Sequence, residues 1–590
     1  MRRKRKFFRV MTLFLMLTTL GFTGYGCDQG SGGTSGGGIP GCGWGRPTDP
    51  DTDTGTNTNT MTNTDTGTET GTVTNTDTGT ETGTVTDTDT GTETGTVTDT
   101  DTGTETGTVT DTDTGTETGT VTDTDTGTET GTVTDTDTGT ETGTVTDTDT
   151  DTDDGTFRVN DDGKITKNGE ELPAHCGAWF GLEGRHEPET DPDNPGGAPM
   201  ELFIGNMWWN ESGRTIDQTM EEITAEGFTM IRLPIAPETL DPDDPQGQSS
   251  VFKNAESERA DNARAAMEEF IVKADEHDLQ VIVDIHSCSN YVGWRAGRLD
   301  DAPPWVDADR DNYDFTREDY SCEYDKSQWL EDLKEIAGLS EELGVDNIMA
   351  IDIFNEPWNY TWQEWKALAE SAYEAINSVN SDVLIMVEGI GSELDDGTKV
   401  ANGDEDLNPN WGENLYSVGD DPLDIPKSRL ILSPHTYGPS VFVQRQFMEA
   451  ECEGMEGDEA GDNGCNIVID PAKLEQGWEE HFGYLAGQGY AIIVGEFGGN
   501  MDWPENAPVR DQDRWGHITD DVDRQWQEAL VDYLVKKDIQ GCYWAINPES
   551  GDAGGLYGHQ YDPVSATDMW GTWTDIQDEK MQLLKKLWGN

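Results

Sequence analysis

Two glutamates stand at the ends of two apolar runs. Glu356 closes Ile348-Met349-Ala350-Ile351-Asp352-Ile353-Phe354-Asn355-Glu356, with Pro357 next, and Glu496 closes Ala491-Ile492-Ile493-Val494-Gly495-Glu496. Cleaving a glycosidic bond with retention needs such a pair: one carboxylic acid protonates the leaving oxygen while one carboxylate attacks the anomeric carbon. Each glutamate alone has a plainer reading, because Asn355-Glu356-Pro357 also makes a good helix start with Pro at the first helical position. The pair gains weight from its company. Arg232, His286, His435, Tyr437 and Trp544 lie within or just after other short apolar runs, and Asn355 precedes Glu356.

The runs that must position these side chains number eight: Leu172 to Trp179, Phe228 to Ile235, Gln280 to His286, Asn347 to Asn355, Val383 to Glu388, Arg429 to His435, Tyr490 to Glu496 and Gln540 to Ile546. Between them lie helical patterns over Thr215 to Glu226, Ala260 to His277, Ser327 to Leu343, Thr361 to Val379, Leu474 to Gln488 and Asp521 to Lys537. That alternation predicts an α/β fold, and eight units in roughly 430 residues predict a (β/α)8 TIM barrel with long loops. In such a barrel the carboxyl ends of all strands open on one cleft. Trp179, Arg232, His286, Asn355, Glu356, His435, Tyr437, Glu496 and Trp544 should then converge. Phe157 to Thr166, with Asp162-Gly163 as its turn, reads as a hairpin covering one barrel end.

Ile231-Arg232-Leu233-Pro234, Asp284-Ile285-His286, Phe354-Asn355-Glu356-Pro357, His435-Thr436-Tyr437, Gly495-Glu496-Phe497-Gly498 and Trp544 resemble glycoside hydrolase family 5, the clan of retaining cellulases, in order over nearly all of Gly155 to Asn590. Tyr543-Trp544-Ala545-Ile546-Asn547-Pro548-Glu549-Ser550-Gly551-Asp552-Ala553-Gly554-Gly555 is similar to the end of the bacterial endo-β-1,4-glucanases of that family. The resemblance implies endo-acting hydrolysis of β-1,4-glucosidic bonds in cellulose or related β-glucans, with Glu356 as general acid and base and Glu496 as nucleophile. It also implies that Asn355 meets the sugar 2-hydroxyl. Arg232 and the Tyr437 hydroxyl favour an ionised Glu496, His286 and His435 can bind sugar hydroxyls or orient the glutamates, and Trp544 suits the floor under the bond that breaks. Trp179, Trp208, Trp209, Trp294, Trp305 and Trp358 are open between further subsites and core packing. The chemistry requires no cofactor. β-Mannanases of the same family share the mechanism and form one alternative; a non-catalytic carbohydrate-binding surface protein, from another class, forms the second.

Of the 590 residues, the first part reads as unfolded. Met1 to Lys6 is basic and Val10 to Phe22 apolar, which suits an export signal over residues 1–26 and is short for a membrane span. Cys27 follows small residues and can be a lipidated first residue anchoring the chain to the outer membrane, although Gly24 departs from the usual lipobox Leu; a plain cleaved signal is the alternative. From Pro47 to Asp154 a Thr/Asp/Gly repeat places Val73, Val85, Val97, Val109, Val121, Val133 and Val145 twelve apart, with 27 acidic residues and no Lys or Arg. One valine per repeat builds no core, so residues 27–154 are expected to be a disordered acidic linker, its repeat from Pro47 to Asp154 spanning roughly 55 to 60 Å root mean square or more, and residues 155–590 the catalytic domain.

The net charge of −81 extends to the folded part and repels nucleic acid and anionic membrane; the resemblance implies a β-glucan polysaccharide as partner, and the chain is expected to be a monomer. Eight cysteines fit oxidising export. Cys452 with Cys465 and Cys288 with Cys322 are the expected pairs, while Cys176 and Cys542, in the first and last strands, are open between a bond and buried thiols. No Cys-x-x-Cys or His cluster suggests zinc. The acidic loops Arg185 to Met207 and Cys452 to Cys465 are open between calcium binding and plain solvation.

Overall fold

Each of the eight apolar runs contains a strand, and the strands close on themselves in chain order. They are β1 His175–Ala178, β2 Met230–Ile235, β3 Gln280–Ile285, β4 Ile348–Asp352, β5 Leu384–Glu388, β6 Leu430–Ser433, β7 Ala491–Phe497 and β8 Gln540–Tyr543. All pair in parallel, and β8 returns to β1 with Cys176 opposite Cys542. The structure is a computed structural model. It describes residues 156–183, 214–244, 247–248, 256–289, 297–299, 324–505, 509–548, 550, 553–559 and 573–589, together with the backbone of strands within 51–147. The export signal, Cys27, Cys322, the loop 185–207, Trp208, Trp209, Trp294 and Trp305 lie outside the described residues.

The chain divides into two compact units, Met1–Asp151 and Thr152–Asn590. In the first, backbone strands form two parallel sheets in which each strand pairs with the one two repeats on, Thr68 opposite Thr92 and Thr80 opposite Thr104. The sequence argument for a coil rests on the lack of a core. Pairing like with like is what an unvarying repeat rich in β-branched threonine makes available to the backbone.

In the second unit the barrel strands are buried on both faces, which is why β2 to β7 read as Val/Ile/Leu-rich runs. The longer helices are α1 Ile216–Glu226, α2 Ala263–Glu276, α3 Lys326–Leu343, α4 Trp362–Asn377, α5 Pro471–His481, α6 Val522–Lys537 and α7 Asp578–Leu587. Their starts are written in the sequence. Thr215 with Gln218 and Thr361 with Glu364 form capping boxes, and Asp325 caps α3. Each helix buries one face on the strands, where every Val, Ile or Leu taken from water contributes roughly 1.5–3 kcal/mol. Two indoles do more: Trp329 of α3 donates to the carbonyl of Ile353 (2.8 Å) and Trp365 of α4 to that of Glu388 (2.8 Å). The helices thereby fix the carboxyl ends of β4 and β5. Among the described residues β5 and β6 are joined without an α-helix, through 3-10 turns at Tyr416–Gly419 and Lys427–Arg429.

The small sheet of Phe157–Val159, Ile165–Lys167 and Glu170–Glu171 closes the amino end of the barrel: Phe157, Val159 and Ile165 pack with Cys176, Met230, Ile282, Met349, Leu384, Ile431 and Ile493. Cys176 and Cys542 are bonded, as are Cys452 and Cys465. Cys288 is also disulfide-bonded, its expected partner Cys322 lying outside the described residues.

Candidate active site

At the carboxyl ends of the strands, charged groups replace the apolar layers. Arg232 of β2 is fully buried and fills the centre. Its Nε donates to Asp352 Oδ2 (3.0 Å), Nη1 to Glu496 Oε1 (2.5 Å), and Nη2 to Asn355 Oδ1 (3.0 Å) and Glu388 Oε1 (3.2 Å), with Asp284 Oδ2 at 3.1 Å. A guanidinium can serve so many acceptors because its five N–H groups form a rigid planar fork. Four carboxylates around one cation are too many to ionise together. Burial, opposed by Arg232, lifts Asp352 to about 7, and burial lifts Glu388 well above the carboxylate range.

Glu496 lies in β7, and Gly495 before it is dictated by space: a Cβ there would stand 2.2 Å from Ser433 Oγ and 2.6 Å from His435 Nε2. Tyr437 Oη donates to Glu496 Oε2 at 2.6 Å. Burial pushes the Glu496 carboxyl up, but His435, Arg232, His286 and the Tyr437 hydroxyl together outweigh it and hold the group below the usual range. Glu496 is an anion.

Glu356 follows β4 with φ +43°, a left-handed conformation that costs a non-glycine residue about 1–3 kcal/mol. Its backbone N–H is held by Glu388 Oε2 at 2.7 Å. The side chain is 14% exposed, and His435 Nδ1 lies 3.3 Å from its Oε1. Burial, helped by the charge of Glu496 and opposed by His435, raises Glu356. One carboxyl oxygen of Glu356 and one of Glu496 lie within 4.8 Å of each other. Retaining pairs place their carboxyl groups about 5–5.5 Å apart, against roughly 6.5–9.5 Å in inverting pairs.

His435 is fully buried, with Nδ1 3.3 Å from Glu356 and 3.7 Å from Glu496 and Nε2 3.1 Å from Glu388. Burial disfavours its charge, but Glu388 and Glu496 prevail and raise it well above the ordinary imidazole value. His435 therefore sits buried between the two glutamates, not at the surface of the cleft. His286 binds Asp284 through Nδ1 (2.6 Å), and its ring lies parallel to Trp544, centroids 5.5 Å apart. Phe180 stacks parallel to the same indole at 5.4 Å. Trp544 is 7% exposed, and its peptide bond to Ala545 is cis. Asn355 gives its carbonyl oxygen to Arg232, which leaves its NH2 to donate.

The structure thus brings together eight of the nine residues expected to converge: Arg232, His286, Asn355, Glu356, His435, Tyr437, Glu496 and Trp544. Trp179 does not join them. It is 1% exposed and packs edge-on against Phe270 of α2, because successive strand residues face opposite ways and its neighbours Ala178 and Phe180 take the inward positions. Trp358 is likewise core. Sequence reasoning missed Asp284, Asp352, Glu388 and the buried Glu183, whose carboxyl burial lifts to about 7. The signal was there: Asp352 and Glu388 end apolar strands, and Asp284 interrupts one. Two clusters, Asp352/Glu388/His435 and Glu356/His435/Glu496, have donor atoms spaced as cation ligands are. Arg232 already supplies the positive charge in the first, and the second is the carboxyl pair itself.

Residues 193–550 match the family model described as Cellulase (glycosyl hydrolase family 5). Endoglucanase C of Cellvibrio japonicus is 59% identical over 461 residues, which cover 73% of this chain and 62% of that protein. The major extracellular endoglucanase of Xanthomonas campestris pv. campestris is 31% identical over 373 residues, 62% of this chain and 60% of that protein. The chain spans about three fifths of the length of these two relatives. Among solved structures, the catalytic domain of the Xanthomonas endoglucanase matches with TM-score 0.52 at 26% identity, covering 73% of this chain and 100% of that one. A cellotetraose complex of an endocellulase from Pyrococcus horikoshii matches with TM-score 0.50 at 25% identity, covering 74% of this chain and 99% of the other.

Proposed function

The chain belongs to glycosyl hydrolase family 5, and on that premise we propose that it cleaves β-1,4-glucosidic bonds within cellulose or related β-glucans by retaining double displacement. The observation that carries the reading is the carboxyl pair, oxygens within 4.8 Å, of which Glu496 is held ionised and Glu356 is raised. Glu496 attacks the anomeric carbon and forms a glycosyl ester as the glycosidic C–O bond breaks. Glu356 delivers its proton to the departing oxygen. Esterification removes the anion that, beside burial, helps raise Glu356, so Glu356 can now take a proton from water, whose oxygen attacks the anomeric carbon and expels Glu496 as carboxylate. Arg232 and Tyr437 hold the nucleophile, and His435 mediates between the pair. Asn355 donates to the sugar 2-hydroxyl, His286 offers Nε2 to a sugar hydroxyl, and Trp544 supports the ring. The names of the relatives, endoglucanases all, and the cellotetraose bound by the Pyrococcus enzyme favour glucan over mannan.

The Xanthomonas relative is named an extracellular enzyme, and the basic and apolar start of this chain suits export as well. The repeat then acts as a tether, and lipidation at Cys27 would fix its far end to the outer membrane while the barrel reaches polymer. The test is sugar-end release by the full chain from carboxymethyl cellulose, mixed-linkage glucan and mannan, with Glu496→Gln as control. Release from the glucans that the substitution abolishes is the expected result. Release from mannan alone overturns the substrate, and no release from any of the three brings a binding protein to the front.

A further inference from the structure

After Trp544 the chain meets its own end-of-strand backbone again at Leu556 and Tyr557. Leu556 and Tyr557 return to donate to the carbonyls of Ala545 (2.7 Å) and Ile546 (3.2 Å), the two residues after the indole. A buried cation holds this return. Lys580 of α7 is 2% exposed; its Nζ donates to the carbonyls of Gly555 (2.9 Å) and Ala553 (3.2 Å) and lies 5.6 Å from the centre of the Tyr543 ring. Gln577, capping the same helix, donates to the Gly555 carbonyl at 2.8 Å. Among the described residues no carboxylate stands within ion-pair distance of Lys580. Lysine is rarely buried without a paired charge, because losing water from an ammonium is costly.

The other side of Trp544 is fixed by backbone. Its N–H donates to Phe497, next to Glu496, at 2.8 Å, and a Cβ on Gly498 would stand 2.2 Å from its carbonyl oxygen. The rings of His286 and Phe180 lie parallel to the indole, and the return segment adds Ala553 to the cluster that packs around it. We propose that Lys580 is a positioning residue for the sugar platform: by tying down Ala553 and Gly555 it sets the plane of Trp544 against Glu356 and Glu496, which it does not touch. Burial pulls the Lys580 ammonium down to about 8, against the opposing charges of Asp523 and Asp502, so at neutral pH it is a cation with full donor capacity. The inference rests on the glucan-cleaving reading of the site.

A double-mutant cycle in the full chain tests it. Lys580→Met keeps an unbranched side chain without the charge, Trp544→Ala removes the platform, and kcat and KM are measured separately on soluble β-glucan well below each variant's thermal midpoint. Lys580→Met is expected to lower kcat/KM about tenfold when Trp544 is present and less than about twofold when it is Ala, the signature of residues acting through one another. Equal losses in both backgrounds overturn the proposal and leave Lys580 a stabiliser only. If Lys580→Met does not fold, Gln577→Leu removes the exposed second donor to the same carbonyl and gives the same comparison, with a loss of about threefold that again vanishes without Trp544. A wild type silent on every β-glucan overturns the proposed function and this inference with it; an active wild type with additive losses overturns this inference alone.

Discussion

Tyr437→Phe should move one limb of the pH profile and leave the other in place. The substitution removes only the hydroxyl that donates to Glu496 Oε2 at 2.6 Å. A hydrogen bond to a charged group is worth about 1.5–3 kcal/mol, and one pKa unit corresponds to about 1.4 kcal/mol, so the Glu496 pKa should rise by roughly 1–2 units. The sign follows from the role. Glu496 is depressed in the folded protein and acts ionised; weakening the anion raises its pKa, and the acid limb of kcat/KM moves to higher pH. The alkaline limb reports Glu356, raised by burial and by a Glu496 charge that is complete at that pH in both proteins, so it should stay. Stability obeys the same linkage. A depressed carboxylate stabilises above its unfolded pKa and loses that contribution as pH falls through its folded pKa, so acid unfolding of the variant should begin at higher pH. The assay is kcat/KM against pH for both proteins on soluble β-glucan, with thermal midpoints alongside. An acid limb in register with wild type, at whatever rate, would refute the assignment of Tyr437 as a donor to the nucleophile.

Glu356→Gln should lower kcat by roughly 10²–10⁴ on polymer with an unchanged thermal midpoint, since general acid and base catalysis contributes about that much; a loss matched by unfolding in circular dichroism would count against it. Arg232→Met should cost about 3–5 kcal/mol of stability, because it leaves Asp284, Asp352, Glu388 and Glu496 around an uncharged side chain. Urea titration measures it, and a stable Arg232→Met protein would contradict the central role given to that cation. Replacing both Cys176 and Cys542 by Ala should lower the unfolding free energy by up to about 5 kcal/mol, given their sequence separation of 366, seen as a lower urea midpoint, with kcat and KM retained in the folded protein.

Six of the eight strands were legible because parallel strands buried on both faces leave Val/Ile/Leu-rich runs, whereas His175–Ala178 and Gln540–Tyr543 hold none of these residues and are placed by their flanks; the site was legible because a barrel converts strand order into a common cleft. What sequence could not separate was the face on which a strand-end residue lies. Trp179 and Phe180 are neighbours of similar chemistry, yet one packs under α2 and the other beside Trp544, a difference of one step in the two-residue alternation. The carboxylates around Arg232 escaped for another reason. Asp352 and Glu388 show only as acidic residues closing apolar strands, and their shared partner is 120 and 156 positions away in sequence. His435 could be placed at the site from its strand end, but its position between both glutamates depends on how far β6 and β7 project, which composition does not encode.

The bond between Cys176 and Cys542 turns the barrel into a closed covalent ring. Arg232, His286, Asn355, Glu356, His435, Tyr437 and Glu496 all lie on that ring, and Trp544 stands two residues beyond it. A protease that severs any one of its loops opens the ring without detaching a fragment. The nicked molecule still carries both glutamates on one covalent body, and a piece of the barrel can be shed only after a second cut. A single nick would then leave a gap in the chain and the same set of side chains on one covalent body.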